Sequence, residues 1–243
     1  MRALRHLIGW VVAIGTATAA LLLLWAMTKA SPRALPWTPL DLAAPVGLAT
    51  GRKLAALGDN PLQCRTLLDR AGVRYTMLPV RREGAHCGYT DGVRFAAGGA
   101  RRIGFVPASL GIACPVAAAL AVWEWEVVQP AAQRLFGQRV TRIDHYGSFN
   151  CRRIYGRDAG TWSEHATADA IDIAGFRLAD GTRITIVGDW RGTGNRSAFL
   201  KEVRDGACGL FATTLSPDYN AAHRDHLHLD QANRGAMGWR ACR

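Results

Sequence analysis

The longest apolar run of the chain lies at its start. Residues 7–27 carry no charged side chain, and Arg2 and Arg5 precede them. A helix of this length is long enough to span a bilayer and longer than the apolar segment of most cleaved signal peptides. No obvious small-x-small cleavage site follows it. The pattern therefore favours an uncleaved signal anchor over residues 1–27, with a cleaved signal peptide as the alternative.

A short linker and one domain account for the rest of the chain. Prolines and a lack of periodicity indicate a linker over residues 28–44. The remaining residues, 45–243, are enough for a single domain with its own hydrophobic core. No internal repeat is visible.

Helical and strand patterns are mixed within this domain. Apolar positions recur with helical or strand spacing, which predicts helices over 51–71, 114–136 and 195–205 and strands over 73–80, 140–146, 170–174 and 183–187. Pro130 is expected to kink the second helix, and the glycine-rich residues 87–99 indicate a connection made of turns. Because the elements show no regular βαβ rhythm, we expect an α+β fold whose small, largely antiparallel sheet is flanked by helices.

One further strand pattern, at residues 223–230, is rich in histidine. Three of the seven histidines of the chain fall within it. Alternation along a strand places two leucines on one face and His226, His228 and Asp230 on the other. The leucine face can enter a core while the other face presents imidazoles and a carboxylate to a cleft. Such an arrangement is suited to a metal site.

The segment from Ser163 to Asp172 offers the missing ligands. His165 and Asp172, together with His228, make two imidazoles and one carboxylate. This is the three-ligand set of a catalytic zinc site, in which water takes the fourth position. Zinc lowers the pKa of that water towards ~7 and polarises a carbonyl. We therefore expect Zn²⁺ as the cofactor.

The residues around these ligands have several possible roles. Asp225 or His226 can take a proton from the water and pass it to the leaving amine. We prefer Asp225 as the base, so that His226 holds the oxyanion or orients the substrate. His223 is expected beside the ligands rather than among them. Asp230 and Asp144 either orient ligand imidazoles or are solvated.

The net charge of the chain says less about its function than the cysteines say about its compartment. The chain carries a net charge of +11, and its arginines are scattered. Nucleic-acid binders usually show a basic stripe or a recognised motif, so no nucleic-acid partner is expected. Arginines on a solvated surface explain the charge, and an anionic partner such as cell wall or lipid is the alternative.

Six cysteines are spread over the domain, none in a Cys-x-x-Cys pair. That spacing excludes zinc fingers and thioredoxin-like motifs. Behind an export signal, an even number of cysteines indicates disulfides in an oxidising compartment. Pairing of neighbours would join residues 64 with 87, 114 with 151 and 208 with 242, although sequence alone does not choose among the connectivities.

Two motifs carry a family resemblance. Residues 163–172 match the Ser-x-His-x-x-Gly-x-Ala-x-Asp signature of the D-alanyl-D-alanine metallopeptidases, of the fold group shared with lysostaphin and the Sonic hedgehog signalling domain. Residues 225–228 resemble the second motif of that group, an acid-x-x-His overlapping a His-x-His. More closely, residues from about 39 to 242 resemble the bacterial extensin-like C-terminal domain family, a branch of the group.

This resemblance implies roles for individual residues. His165, Asp172 and His228 would bind zinc, and Arg152 would hold a substrate carbonyl or carboxylate together with His223 as a substrate-binding residue. The glycine of the first motif is Ala168 here. A turn with a negative φ angle would accept the added methyl group.

The expected protein is a zinc peptidase that hydrolyses an amide bond in the peptide part of peptidoglycan, as a carboxypeptidase or an endopeptidase. We expect a single-pass protein of the bacterial inner membrane, anchored through residues 7–27, with the catalytic domain in the periplasm or extracytoplasmic space. The alternative is a non-catalytic envelope module that keeps the fold and binds cell-wall peptides. A third hypothesis is a disulfide-stapled structural domain without metal.

Overall fold

The computed structural model describes residues 2–30, 35, 37–235 and 239–243. Helix α1, Arg2–Ala30, contains an apolar segment, Arg5–Ala26, that is long enough to cross a membrane and is not buried inside the protein. A helix of this kind is either a membrane span or a signal sequence. Of the predicted linker, residues 31–34 and 36 lie outside the described residues.

The later part of that linker belongs to the folded domain. Leu42 is buried in the hydrophobic core and Leu40 packs against it. The folded part of the chain therefore begins before residue 45, because apolar side chains there supply core contacts that proline content alone did not indicate.

The helices of the domain include one that is completely buried. Their bounds are α2 Thr50–Ala55, α3 Pro61–Arg70, α4 Cys114–Trp123, α5 Gln129–Phe136, α6 Ile186–Asp189 and α7 Asn195–Cys208. The helix predicted over 51–71 is thus two helices, separated by a 3₁₀ turn at residues 56–59. Every residue of α4 is buried, and the Trp123 indole N–H donates to the Val203 carbonyl of α7 over 2.9 Å.

The expected disturbance at Pro130 takes the form of a π-helical turn. Residues Glu124–Val128 join α4 to α5 in π geometry, directly before the proline. Proline lacks the N–H that an α-helix requires and clashes with a carbonyl of the preceding turn. The wider turn absorbs this conflict without ending the helix.

One central sheet carries most of the strands. The strand bounds are β1 Val73–Met77, β2 Arg81–Arg82, β3 Gly88–Tyr89, β4 Val93–Gly99, β5 Gly104–Val106, β6 Val140–Gly147, β7 Ala170–Leu178, β8 Arg183–Thr185, β9 Thr213–Leu215, β10 Leu227–Asp230 and β11 Ala241–Cys242. The seven-stranded sheet has the order β11-β9-β10-β7-β6-β5, and β8 also pairs with β7. Only the outer pairs β11–β9 and β5–β6 are parallel. The α+β prediction with a largely antiparallel sheet is confirmed.

Two local predictions were wrong. Residues 87–99 contain β3 and β4 rather than turns alone, because β4 pairs with β1 in a separate two-stranded sheet. The strand predicted over 183–187 ends at Thr185, whose side chain accepts a hydrogen bond from the Gly188 N–H and begins α6.

Three disulfides tie the domain together. The bonds join Cys64 to Cys114, Cys87 to Cys151 and Cys208 to Cys242. Neighbour pairing was therefore right only for the last bond. The first connects α3 to α4, and the second fixes the segment that carries Arg152 to the β3 region. Disulfides of this number indicate an extracytoplasmic domain.

A buried ion pair connects the π-helical turn to the segment between β4 and β5. Arg101 and Glu124 are both buried, and Arg101 Nη2 lies 2.8 Å from Glu124 Oε2. Glu124 also accepts hydrogen bonds from the backbone N–H groups of Arg102 and Ile103. The Arg101 guanidinium stacks on Phe95 at 3.8 Å from the ring centroid. Burial lowers the pKa of Arg101, and Glu124 opposes this effect.

Candidate metal centre

Two neighbouring strands bring Asp172 and His228 face to face. In the antiparallel pairing of β7 with β10, His228 lies directly opposite Asp172. Side chains of such a pair are close on one face of a sheet. The alternate residues Leu227 and Leu229 point the other way and are fully buried. The predicted division of this strand into a core face and a cleft face is what the structure shows.

A short turn before β7 delivers His165 to the same place. His165 lies in the 3₁₀ turn Glu164–Thr167, and the Ser163 hydroxyl accepts a hydrogen bond from its N–H at the start of that turn. Ser163 therefore has a structural role, as its lack of a nucleophile motif suggested. The His165 Nδ1–H donates to the Ser148 carbonyl over 2.6 Å, which turns Nε2 towards Asp172 and His228.

Three acceptor atoms converge at this point. His165 Nε2 lies 3.2 Å from Asp172 Oδ1 and 3.2 Å from His228 Nδ1, and His228 Nδ1 lies 3.0 Å from Asp172 Oδ1. Ligands about 2.05 Å from a tetrahedral zinc are roughly 3.3 Å apart. The spacing of the three atoms fits a zinc ion between them.

The outer nitrogens of both rings show how these atoms can bind a metal ion. A carbonyl only accepts, so the Ser148 carbonyl fixes the proton of His165 on Nδ1 and leaves Nε2 bare in the neutral ring. The Asp230 carboxylate similarly accepts from His228 Nε2–H over 3.0 Å, which leaves Nδ1 bare. In the neutral rings these bare nitrogens face a carboxylate oxygen, and such lone pairs repel one another unless a proton or a metal cation lies between them.

The structure separates the two carboxylates whose roles the sequence left open. Asp230 orients His228, as just described. Asp144 instead pairs with Arg177 and Arg183 on β7 and β8, at 2.7 and 3.0 Å. It belongs to a surface network of the sheet and contacts no residue of the candidate metal centre.

Electrostatics of the cluster follow from the same contacts. Burial works against ionisation of Asp172, but hydrogen bonds from His165 and His228 hold the pKa of this carboxyl well below its usual range. Burial disfavours a charged His228, yet its bonds to Asp172 and Asp230 raise the pKa of the ring to about 9. The two carboxylates therefore make the centre attractive to positive charge.

Asp225 and His226 form a hydrogen-bonded pair at the edge of the centre. The His226 Nδ1 lies 3.0 Å from Asp225 Oδ1, and its Nε2 lies 3.5 Å from Asp172 Oδ1. His226 lines the cleft above the ligands. Asp225 remains about 30% exposed. The two candidates for the general base are thus hydrogen-bonded to each other.

His223 is buried beside the ligands and is held by an asparagine that the sequence did not single out. Its Nδ1–H donates to Asn220 Oδ1 over 2.8 Å, and the Asn220 amide in turn donates to the Tyr155 hydroxyl over 3.0 Å. Burial, followed by the nearby rings of His226 and His228, lowers the pKa of His223 to about 4. The ring is therefore neutral at pH 7.

One cleft of about 720 Å³ is bordered by the three candidate ligands and by His223, His226 and Asp230. Arg152 also lines it, and its guanidinium pairs with no carboxylate in the described part of the chain. Sequence reasoning missed several other lining residues, namely Trp162, Glu164, Tyr219 and Arg234. Of these four residues, Glu164 could have been identified from the sequence, because it is adjacent to His165 in the first motif. Burial raises its pKa, with a further contribution from Asp230.

Ala168 corrects one expectation about the first motif. The turn has a positive φ of 59° at this residue instead of the negative angle that an alanine prefers. The Ala168 carbonyl accepts hydrogen bonds from the Ala113 N–H and the Ser148 hydroxyl, and these contacts hold the turn in place. The motif's glycine is therefore replaced at a position that requires the left-handed region.

Substitutions at this turn have a predictable order of effect. Ala168→Gly should change the free energy of unfolding by less than about 1 kcal/mol. The relief of about 1–2 kcal/mol of backbone strain is offset by the loss of a buried methyl group and by the greater entropy of the unfolded chain. Ala168→Val should destabilise by roughly 2 kcal/mol or more, since a β-branched residue is strained there. Urea unfolding measures both.

Ala166→Gly is the matched control, because Ala166 is also buried in this turn but has no positive φ. It loses a methyl group without relief of strain and should be the more damaging glycine substitution. Equal losses for both glycine variants would show that Ala168 is not strained.

Comparison with known proteins assigns the chain to a family. The model of the family described as Extensin-like protein C-terminus matches residues 62–243. The protein therefore belongs to the extensin-like C-terminal family, as the resemblance implied. No curated protein and no solved structure matches the chain.

Proposed function

We propose that this protein is a zinc peptidase that hydrolyses an amide bond in the peptide part of peptidoglycan. The observation that supports it most directly is the convergence of His165, Asp172 and His228 at zinc-ligand spacing on the wall of a cleft. The relationship to the D-alanyl-D-alanine metallopeptidases, drawn from the motifs, is part of the same proposal. So is a single-pass inner-membrane location with the domain on the periplasmic side.

The chemistry divides between the zinc and the residues of the chain. Zinc in such a site lowers the pKa of water and polarises the carbonyl to be cleaved. Asp225 and His226 form the unit that takes the proton from the attacking water and returns it to the leaving amine. The C–N bond breaks, and the products are a carboxylate and an amine.

Other residues of the cleft bind and position the substrate. Arg152 offers a guanidinium that no protein carboxylate neutralises in the described residues, and it can hold a carboxylate or carbonyl of the peptide. The neutral His223, fixed by Asn220, presents its free Nε2 as an acceptor for a peptide N–H.

A digestion experiment tests the proposed activity. The zinc-loaded full chain is incubated with a varied set of muropeptides, and the products are identified by mass spectrometry. We expect new peptide termini with the wild type. Asp225→Asn should lower the rate by about 10²–10⁴-fold because it removes the base, while its zinc content stays unchanged.

Two results would contradict this assignment. A zinc-loaded wild type that binds muropeptides and cleaves none would favour the non-catalytic binding module. A wild-type rate in Asp225→Asn, with a large loss in His226→Gln, would move the base to His226.

A further inference from the structure

A second cavity, of about 600 Å³, adjoins the metal cleft on the side of the domain formed by α2 and the residues before β11. It shares Asn233, Arg234 and Trp239 with the cleft. Its outer rim combines cations with apolar side chains. We call this rim the basic–apolar face and define it as Leu48, Arg52, Lys53, Trp239 and Arg240.

The apolar members of this face are unusually exposed. Leu48 is 98% exposed and Trp239 66% exposed. Trp37, 74% exposed, lies beside Thr38, whose hydroxyl accepts a hydrogen bond from Lys53 Nζ over 3.0 Å. Large apolar side chains that group together at a surface mark an interaction site. Tryptophan next to lysine and arginine is the combination typical of a membrane interface.

The charge of the face is positive. Within the described part of the chain, neither Arg52 nor Arg240 forms an ion pair with a carboxylate; Arg240 donates to the backbone carbonyls of Cys208 and Gly209. Among the described residues of the cavity wall the one acid is Asp59, which accepts a hydrogen bond from Asn233 over 3.0 Å. The three cations of the face and Arg234 outnumber this acid, and such an excess of positive charge attracts an anionic surface.

The position of the face along the chain selects its partner. Helix α1 ends at Ala30, and Trp37 already belongs to the domain beside the basic–apolar face. The chain between these two residues extends at most about 25 Å. If α1 crosses a bilayer, the face cannot lie far from the surface of that bilayer.

We propose that the basic–apolar face rests on the anionic phospholipid surface of the membrane that α1 crosses. Leu48 and Trp239 enter the headgroup region, and Arg52, Lys53 and Arg240 contact lipid phosphates. The domain is then held in one orientation, with the mouth of the metal cleft beside the bilayer. This inference does not depend on the proposed enzymatic activity.

A photo-crosslinking experiment tests the proposal with the full chain in lipid nanodiscs. Benzoylphenylalanine replaces Leu48, or Val187 as a control that is 67% exposed on the short helix α6. We expect strong lipid crosslinks from position 48 in discs containing phosphatidylglycerol and weak ones in pure phosphatidylcholine. Position 187 should give few lipid crosslinks in either kind of nanodisc. Crosslinking at 48 should fall roughly 25-fold when Arg52→Gln and Lys53→Gln are added, because each basic residue near an anionic surface strengthens binding about fivefold.

The pair Arg82→Gln and Arg139→Gln removes the same charge from exposed positions elsewhere and should leave the yield unchanged. Equal lipid crosslinking at 48 and 187, or no dependence on anionic lipid, would overturn the proposal. Crosslinking of position 48 to added muropeptides in preference to lipid would overturn it as well and assign the face to the peptide.

Discussion

His228→Ala is expected to reduce bound zinc from one ion per chain to almost none, measured by inductively coupled plasma mass spectrometry on full-length protein purified without chelator. The substitution removes one of three converging donors, and the two that remain, on His165 and Asp172, do not enclose an ion. Hydrolysis of muropeptides should disappear with the metal. His165→Ala and Asp172→Ala should behave in the same way.

Two graded variants show whether the loss is specific. His226→Ala removes a ring of the same size from the same cleft without removing a donor, so its zinc content should match the wild type. Asp230→Asn should weaken zinc binding by about 10–100-fold, because Asp230 only orients His228. Near-zero zinc in the wild type, or equal zinc in wild type and His228→Ala, would sink the metal hypothesis.

Glu124→Ala is expected to lower the free energy of unfolding by about 3–5 kcal/mol. The change leaves the buried Arg101 guanidinium without its counter-charge and removes the acceptor of two backbone N–H groups. A charge in the protein interior without a partner is far less stable than the same charge in water. Urea unfolding, followed by circular dichroism, gives the difference.

Glu202→Ala is the matched control for this measurement. Glu202 also pairs with an arginine, Arg134, but at the surface, where the side chain is 41% exposed. Its loss should change the free energy of unfolding by less than about 1 kcal/mol. A similar small effect from Glu124→Ala would mean that water reaches Arg101 in solution.

The sequence predicted the α+β class and the two segments that meet at the metal centre, because both depend on short-range patterns. Alternation along residues 227–230 assigns each side chain to a face whatever the neighbouring strands are. The motif spacing between His165 and Asp172 is equally local. A turn followed by a strand brings both to one point.

Features that depend on contacts between residues far apart in the sequence could not be predicted from local patterns. Strand β4 contains two terminal glycines, which indicate turns, and it forms because β1 supplies its hydrogen bonds. The role of Asp144 depended on register, since Arg177 and Arg183 reach it only across paired strands. The partner of Cys64 likewise follows from packing of α3 against α4, which brings Cys114 next to it.

Some parts of the site have no signal in side-chain identity at all. The group that orients His165 is the backbone carbonyl of Ser148, which any residue could provide. The positive φ of Ala168 was hidden because its residue type suggests the opposite. Both features depend on the path of the backbone, which the residue types do not reveal.

The backbone support of the candidate metal ligands has a consequence for handling the protein. The ligand strands β7 and β10 are fixed to each other by four register pairs, and the outer nitrogens of the two histidines are held by Ser148 and Asp230. These contacts hold the ligand atoms in place, and none of them requires a bound ion. For a metal ion bound at the candidate centre, exchange would be a local event rather than a refolding reaction, and dialysis under native conditions would offer a route to a cobalt-substituted, coloured form for spectroscopy.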